Sequence, residues 1–212
     1  MEWVEIIKRL IALFAIVDPV GAVIFFLALT KTQTAAERAR TAAVAPAAMA
    51  GILAVAALGG EQVLWFFGIS IHSFKVGGGL LILFTAIAML WGYAPWVRRT
   101  AEEDRESRER EDVAVVPLGI PLLAGPGAVT AVIIAAQENP GVAGLSVEIG
   151  IIFAVALITF AIFHVADLVA EALGTIGMNI FTRLLGLLLA AISVEIIATG
   201  LKGLFPVLGA AR

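Results

Sequence analysis

Long apolar runs dominate this sequence and constrain its fold more than any other feature. Hydrophobic residues make up 61% of the 212 and charged residues only 15%, whereas an average soluble domain is about half apolar and a quarter charged. A water-soluble core of this size cannot bury that excess. The sequence therefore predicts an all-α integral membrane protein whose partner is the surrounding lipid bilayer. Six runs approach the roughly 20 residues that a spanning helix needs, at residues 6–29, 41–58, 73–91, 113–136, 147–168 and 181–204.

The first two helices have recognisable starts. Lys8 and Arg9 lie at the start of the first run, where basic residues also occur in a signal peptide, but the run continues past Asp18 without a small-residue cleavage pattern. We therefore expect it to be retained as the first helix. Before the second run, Thr34 and Glu37 have the spacing of a capping box, which marks a helix N-terminus.

A charged loop divides the chain and indicates its orientation. From Trp96 to the end of the loop at 94–112, seventeen residues hold twelve charges, which separates a three-helix unit at 1–93 from another at 113–212. Lys and Arg accumulate on the cytoplasmic side of membrane proteins. Nine of them fall on the side of this loop and five on the side of both termini. The sequence predicts a multi-pass protein of the cell inner (plasma) membrane, with this loop cytoplasmic and both termini outside.

The two halves of the chain resemble each other. Segment 18–23 (DPVGAV) recurs as 125–129 (GPGAV) with one residue dropped, and 68–71 (GISI) recurs as 177–180 (GMNI). Two matches in the same order at nearly the same offset predict a duplicated three-helix unit. Because the number of helices per unit is odd, the second copy is inverted in the membrane. Inverted repeats are typical of secondary transporters, whose binding sites lie near the midplane at interrupted helices.

Proline and glycine are expected to interrupt the first and fourth helices at corresponding places. Proline lacks a backbone donor and disfavours helical geometry in the residue before it, and Asp18 lies about 18 Å into the first helix, near the bilayer centre. Each half-helix after a break begins with unpaired amides, which suit a carboxylate. Ordinary proline kinks, healed by neighbouring helices, are the alternative. The residues predicted to bind a substrate are Asp18, Pro19, Gly21, Gly125, Pro126, Gly127 and Thr130.

Two acidic residues are candidates for proton coupling. Asp18 either caps the half-helix that begins at Pro19 or holds a substrate ammonium or a coupling proton, because a carboxylate at that depth is costly and usually functional. Glu195 lies midway along the sixth helix, where it either carries a proton or forms a hydrogen bond to another helix.

Other polar and small residues in the helices have simpler interpretations. Lys75, near a helix end, is expected to extend to the membrane interface. His164 and Asp167 share a helix face and are expected to pair structurally rather than relay protons. The glycines at 77–79 are typical of a close-packing helix surface.

Several activities find no support in the sequence. The chain has no cysteine, its two histidines are far apart, and it contains no Walker, GxSxG or HExxH motif. We expect no metal, no organic cofactor, no enzymatic activity and no nucleic-acid partner.

Several segments resemble the MarC family of bacterial and archaeal inner-membrane proteins. The longest is 111–128 (EDVAVVPLGIPLLAGPGA), and 18–21 (DPVG), 66–69 (FFGI) and 182–187 (TRLLGL) are similar to further family motifs. The resemblance covers almost the whole chain. Residues 23–24 (VI) depart from it, since the family often carries a polar residue or proline there.

This resemblance implies a six-helix protein of the lysine-exporter-like superfamily, some of whose members transport small neutral amino acids together with protons. The predicted function is therefore secondary transport of glycine, alanine or serine, with a proton, or alternatively sodium, as coupling ion. A scaffold or stress factor, an exporter of another small solute and an intramembrane enzyme are the alternatives. The sequence does not decide between a monomer and a homo-oligomer.

Overall fold

The computed structural model describes residues 3–92 and 123–209, which form helices and short connections. The predicted charged loop at 94–112 and the first part of the predicted fourth helix lie outside these described residues. The helices are α1 Trp3–Val17, α2 Pro19–Leu29, α3 Ala35–Phe66, α4 Ile71–Trp91, α5 Pro126–Glu138, α6 Val142–His164 and α7 Ala166–Leu204, followed by a 3-10 turn at Pro206–Gly209.

Five described segments are long and apolar enough to cross a membrane. They are Trp3–Leu29, Ala35–Phe66, Ile71–Trp91, Val142–His164 and Ala166–Leu204. Large apolar side chains such as Leu157, Ile176 and Leu187 are exposed on the outside of the bundle, as expected where lipid replaces water. The predicted all-α membrane class is therefore confirmed. The sixth predicted span, 113–136, begins outside the described residues.

The second predicted helix is longer at both ends than the range 41–58. Its capping box forms as predicted: Glu37 N donates to Thr34 Oγ1 at 3.3 Å, and Thr34 N donates to Glu37 Oε2 at 2.7 Å. Because this box satisfies the free amides of the first turn, α3 begins at Ala35. It continues for 32 residues to Phe66, about 48 Å. The predicted boundaries followed hydropathy alone and were wrong by several residues.

Glycines in left-handed conformation mark two bends that apolar patterning does not show. Gly68 has φ 66° and separates α3 from α4, where Ser70 Oγ accepts the Ser73 amide at 3.0 Å. Gly174, at φ 61° and ψ 174°, interrupts α7. The predicted fifth helix at 147–168 instead ends at His164, and α7 begins before the predicted start at 181. Glycine adopts positive φ without a steric penalty, so both bends are local properties of the backbone.

α4 packs along α7 through glycine. A methyl group at Gly186 would lie 2.9 Å from Met89 Cβ, and one at Gly79 would lie 2.6 Å from Ile197 Cγ1. The predicted close-packing surface is therefore present at Gly79. It does not include Gly77, which faces open space.

Candidate functional site

The break between α1 and α2 is centred on Asp18. This residue has φ 43° and ψ 61°, a left-handed conformation that Asp tolerates better than most residues. Its carboxylate Oδ1 accepts the Gly21 amide at 3.1 Å, and α2 begins at Pro19. The predicted interruption is present, and Asp18 caps the half-helix that follows it.

A residue of α7 holds the second oxygen of this carboxylate. Thr182 Oγ1 donates to Asp18 Oδ2 at 2.7 Å. A methyl group at Gly21 would lie 2.5 Å from the same hydroxyl and would collide with the carboxylate, so this position requires glycine. No role was predicted for Thr182, because one threonine in a long apolar helix carries no distinctive pattern.

The second predicted break is described only from residue 123 onward, where the N-terminus of α5 differs from that of α2. Gly125 is extended, with φ −62° and ψ 168°, and α5 begins at Pro126. Among the described residues, no side chain caps this N-terminus. The amides of Gly127 and Ala128 belong to the first turn, which has no intrahelical acceptor, and both residues are buried.

The two breaks are adjacent. A methyl group at Gly127 would lie 3.5 Å from Thr85 Oγ1 and 3.6 Å from Ile16 Cγ2, and Ile16 is two residues before Asp18. Thr130, one turn further along α5, is buried and packs against Gly78. Most of the residues predicted as a binding site therefore surround one level of the bundle.

A cavity of about 580 Å³ extends from this level toward the N-terminus. We call it the N-terminal cavity. Glu195 lines it in an exposed position and lies 13 residues, about 20 Å along α7, from Thr182. The two candidates for proton coupling are thus well separated. The wall of this cavity includes Arg9, Ile16, Glu138, Glu148 and Glu195.

Charged residues from four helices meet at the end of this cavity that is nearer the N-terminus. Lys75 Nζ lies 2.8 Å from Glu138 Oε1, and Arg9 Nη2 lies 3.6 Å from Glu138 Oε2. Arg9 Nη1 also lies 3.6 Å from Glu148 Oε2. We call these four residues the ion cluster. Lys75 is only 8% exposed, so its side chain does not extend from the bundle as predicted, and it pairs instead with the half-exposed Glu138.

A second cavity, of about 630 Å³, lies near the other end of Trp3–Leu29. We call it the loop cavity; its wall includes Thr30, Arg38, Phe163, His164 and Asp167. Asp167 pairs with Arg38 at 2.8 Å, whereas the ring of His164 lies 5.8 Å from that of Phe160. The predicted pairing of His164 with Asp167 is wrong. Arg38, on α3, forms the ion pair with Asp167 instead.

Known proteins are similar to this chain over nearly its full length. Residues 3–205 match the profile described as MarC family integral membrane protein. UPF0056 membrane protein YhcE of Escherichia coli (strain K12) is 38% identical over 199 residues, which cover 94% of this chain and 93% of that protein. UPF0056 membrane protein YvbG of Bacillus subtilis (strain 168) is 40% identical over 205 residues, covering 96% and 97% of the two chains.

The similarity extends to archaea but not to known structures. UPF0056 membrane protein MJ1677 of Methanocaldococcus jannaschii is 35% identical over 192 residues, or 91% of this chain and 93% of that protein. No solved structure matches significantly. Because the profile match and these relatives span nearly the whole sequence, the chain belongs to the MarC family of integral membrane proteins.

Proposed function

We propose that this protein is a secondary transporter of a small neutral amino acid, namely glycine, alanine or serine, coupled to protons. The observation that carries the proposal is the pair of cavities near opposite ends of one membrane-crossing segment, with the N-termini of α2 and α5 at a level between them. Arg9 lines one cavity and Thr30 the other, about 30 Å apart along α1 and α2. A solute exchanged between these cavities passes the breaks.

In this proposal the chain consists of two three-helix units related as inverted repeats, 1–93 and 113–212. The order of irregularities supports the relation. Each unit has a proline-glycine break early on, at Asp18 or Gly125, and a left-handed glycine later, at Gly68 or Gly174. Interrupted helices in corresponding halves are typical of transporter binding sites.

The unequal capping of the two breaks suggests how a zwitterion binds. Asp18 already accepts the Gly21 amide, so α2 has little capacity left for an anion. The amides of Gly127 and Ala128 have no side-chain cap among the described residues and suit the substrate carboxylate. The substrate ammonium then faces the Asp18 carboxylate, which Thr182 holds in place.

The space around the breaks limits the substrate. Ile16, Thr85 and Ile82 surround Gly127, and Thr130, one turn further along α5, is buried against Gly78, so a side chain of one or two heavy atoms is accommodated more readily than a branched or aromatic one. Ion pairs near the two ends, Lys75–Glu138 and Arg38–Asp167, are suited to holding one cavity closed while the other is open.

The breaks also bear on the alternatives. Straight helices through Asp18 and Gly125 would favour a scaffold without transport activity, whereas both residues are non-helical. An intramembrane enzyme requires a reactive group beside a water-filled site. Asp18 instead uses both carboxylate oxygens to organise the backbone and α7.

Proteoliposomes test the proposal directly. Purified protein is reconstituted, and uptake of a labelled amino-acid panel is measured with and without an imposed pH gradient. We expect glycine, alanine or serine to accumulate only with the gradient. If no neutral amino acid accumulates under either condition, the proposal is wrong.

The variant Asp18→Asn separates capping from charge. Asn caps a helix about as well as Asp and also tolerates left-handed backbone, so the variant should fold and insert. We expect gradient-driven accumulation to fall at least tenfold, because Asn cannot pair with an ammonium. Glu195→Gln removes the other candidate for proton coupling, on the cavity wall, and is assayed beside it. Unchanged accumulation in Asp18→Asn would remove the carboxylate from the binding mode.

A further inference from the structure

Glu148 is the least well compensated charged group in the ion cluster. It is 2% exposed, and its Oε2 has no hydrogen-bond partner within the described ranges 3–92 and 123–209. Among the residues that the structure describes, its one cationic neighbour is Arg9, whose Nη1 lies 3.6 Å away, beyond hydrogen-bond distance. A buried carboxylate normally needs both a close cation and hydrogen bonds to offset lost hydration.

Arg9 is engaged elsewhere. Its Nη1 donates to the Ala135 carbonyl at 2.9 Å. Arg9 also faces Glu138, which Lys75 already holds at 2.8 Å. The ion cluster contains two cations and two carboxylates. Glu138 contacts both cations, whereas Glu148 contacts Arg9 alone within the cluster.

The other helices around Glu148 add little charge at this end of the bundle. α2 has no charged residue, and the only charged residue in the second half of α3 is the exposed Glu61. On the cavity wall, α1 adds Lys8 and α7 adds Glu195. His72 lies on α4, three residues before Lys75. Glu148 itself lines the N-terminal cavity, through which water and protons can reach it.

We infer that Glu148 takes up a proton from the N-terminal cavity and releases it there, and that this exchange weakens and restores the contact between Arg9 and Glu148 in the ion cluster. Protonation leaves a neutral carboxyl group, so Arg9 loses one of its two acidic partners and the link between α1 and α6 weakens. Deprotonation restores the link. As a coupling step this inference rests on the proposed transport function, whereas proton binding itself is independent of any substrate.

Infrared spectroscopy of the purified full chain measures the proton without a substrate. Spectra recorded across a pH series should contain the carbonyl stretch of a protonated carboxyl group that disappears as the pH rises. We expect Glu148→Gln to lose this titrating band and Glu195→Gln to retain it. A band unchanged in Glu148→Gln, or no titrating band in the unmodified protein, would overturn the inference.

Chemical labelling gives a second readout that needs no folded variant. Dicyclohexylcarbodiimide reacts with protonated carboxyl groups in apolar surroundings, and mass spectrometry locates the adduct. We expect an adduct on Glu148 that forms at least several-fold less at alkaline than at acid pH. Absence of an adduct on Glu148 at acid pH would overturn the assignment.

Transport assays then distinguish this inference from the proposed function. If the function is correct, Glu148→Gln should lose pH-gradient-driven accumulation while retaining exchange of pre-loaded amino acid. Absence of any amino-acid transport in the unmodified protein would refute the proposed function and leave the spectroscopic result standing. Full gradient-driven accumulation in Glu148→Gln would refute the coupling role alone.

Discussion

Thr182 donates a hydrogen bond to Asp18 across 164 residues of sequence, and it thereby joins α7 to the break between α1 and α2. Asp18 uses its other carboxylate oxygen to cap α2. The conformation of the break and its attachment to the second half of the chain therefore depend on the same side chain.

Replacing Thr182 should loosen this attachment. We expect Thr182→Val to lower the free energy of unfolding by about 0.6–2 kcal/mol, the usual contribution of a hydrogen bond between membrane helices. Thr182→Ser keeps the hydroxyl group and should lie closer to the unmodified protein. Equilibrium unfolding in mixed detergent micelles measures both. Equal stability of the Val and Ser variants would show that the hydrogen bond does not matter.

Two adjacent glycines in α4 should differ in how much stability they lose on replacement by alanine. A methyl group at Gly78 would collide with Thr130 Cγ2, whereas nothing lies within 4 Å of one at Gly77. Gly78→Ala should cost about 1–3 kcal/mol through overpacking, and Gly77→Ala should stay within about 0.5 kcal/mol. The same unfolding assay compares them. Comparable losses in both variants would contradict the packing around Thr130.

The two ion pairs should differ in coupling energy because they differ in burial. The side chains of Lys75 and Glu138 are 10% and 45% exposed, and those of Arg38 and Asp167 are 31% and 75% exposed. A double-mutant cycle with Lys75→Met and Glu138→Gln should give a coupling energy of about 0.5–3 kcal/mol.

The matching cycle at the loop cavity, with Arg38→Met and Asp167→Asn, should give about 0–1 kcal/mol, as is usual for exposed pairs. Both cycles use the unfolding assay in micelles. A larger coupling energy for Arg38–Asp167 than for Lys75–Glu138 would contradict the burial of Lys75.

Single introduced cysteines test the membrane orientation, because the natural chain contains none. The positive charges predict that Ser107, in the loop at 94–112, faces the cytoplasm. An impermeant maleimide should therefore label Ser107→Cys only in opened cells. Ser70→Cys, at the turn before α4, should be labelled in intact cells. Labelling of position 107 in intact cells would invert the topology.

Much of the backbone was predictable because its causes are local. Hydropathy located the five described membrane-crossing segments, the Thr34–Glu37 spacing predicted the start of α3, and proline predicted the interruption between α1 and α2 and the start of α5. These features act within a few residues along the chain. The bends at Gly68 and Gly174 were not assigned, because glycine permits positive φ at many positions and requires it at few.

The partners of the charged groups depended on the tertiary structure. The sequence established that Asp18 stands beside a proline inside an apolar segment, which determines a helix break and a capping carboxylate. It could not specify that Thr182 would hold this carboxylate, or that Lys75 would turn inward to Glu138. Those contacts arise where helices from distant parts of the chain meet. Inside the bundle, the cost of an unpaired charge selects the partner within reach, and only the packing of the helices determines which residue that is.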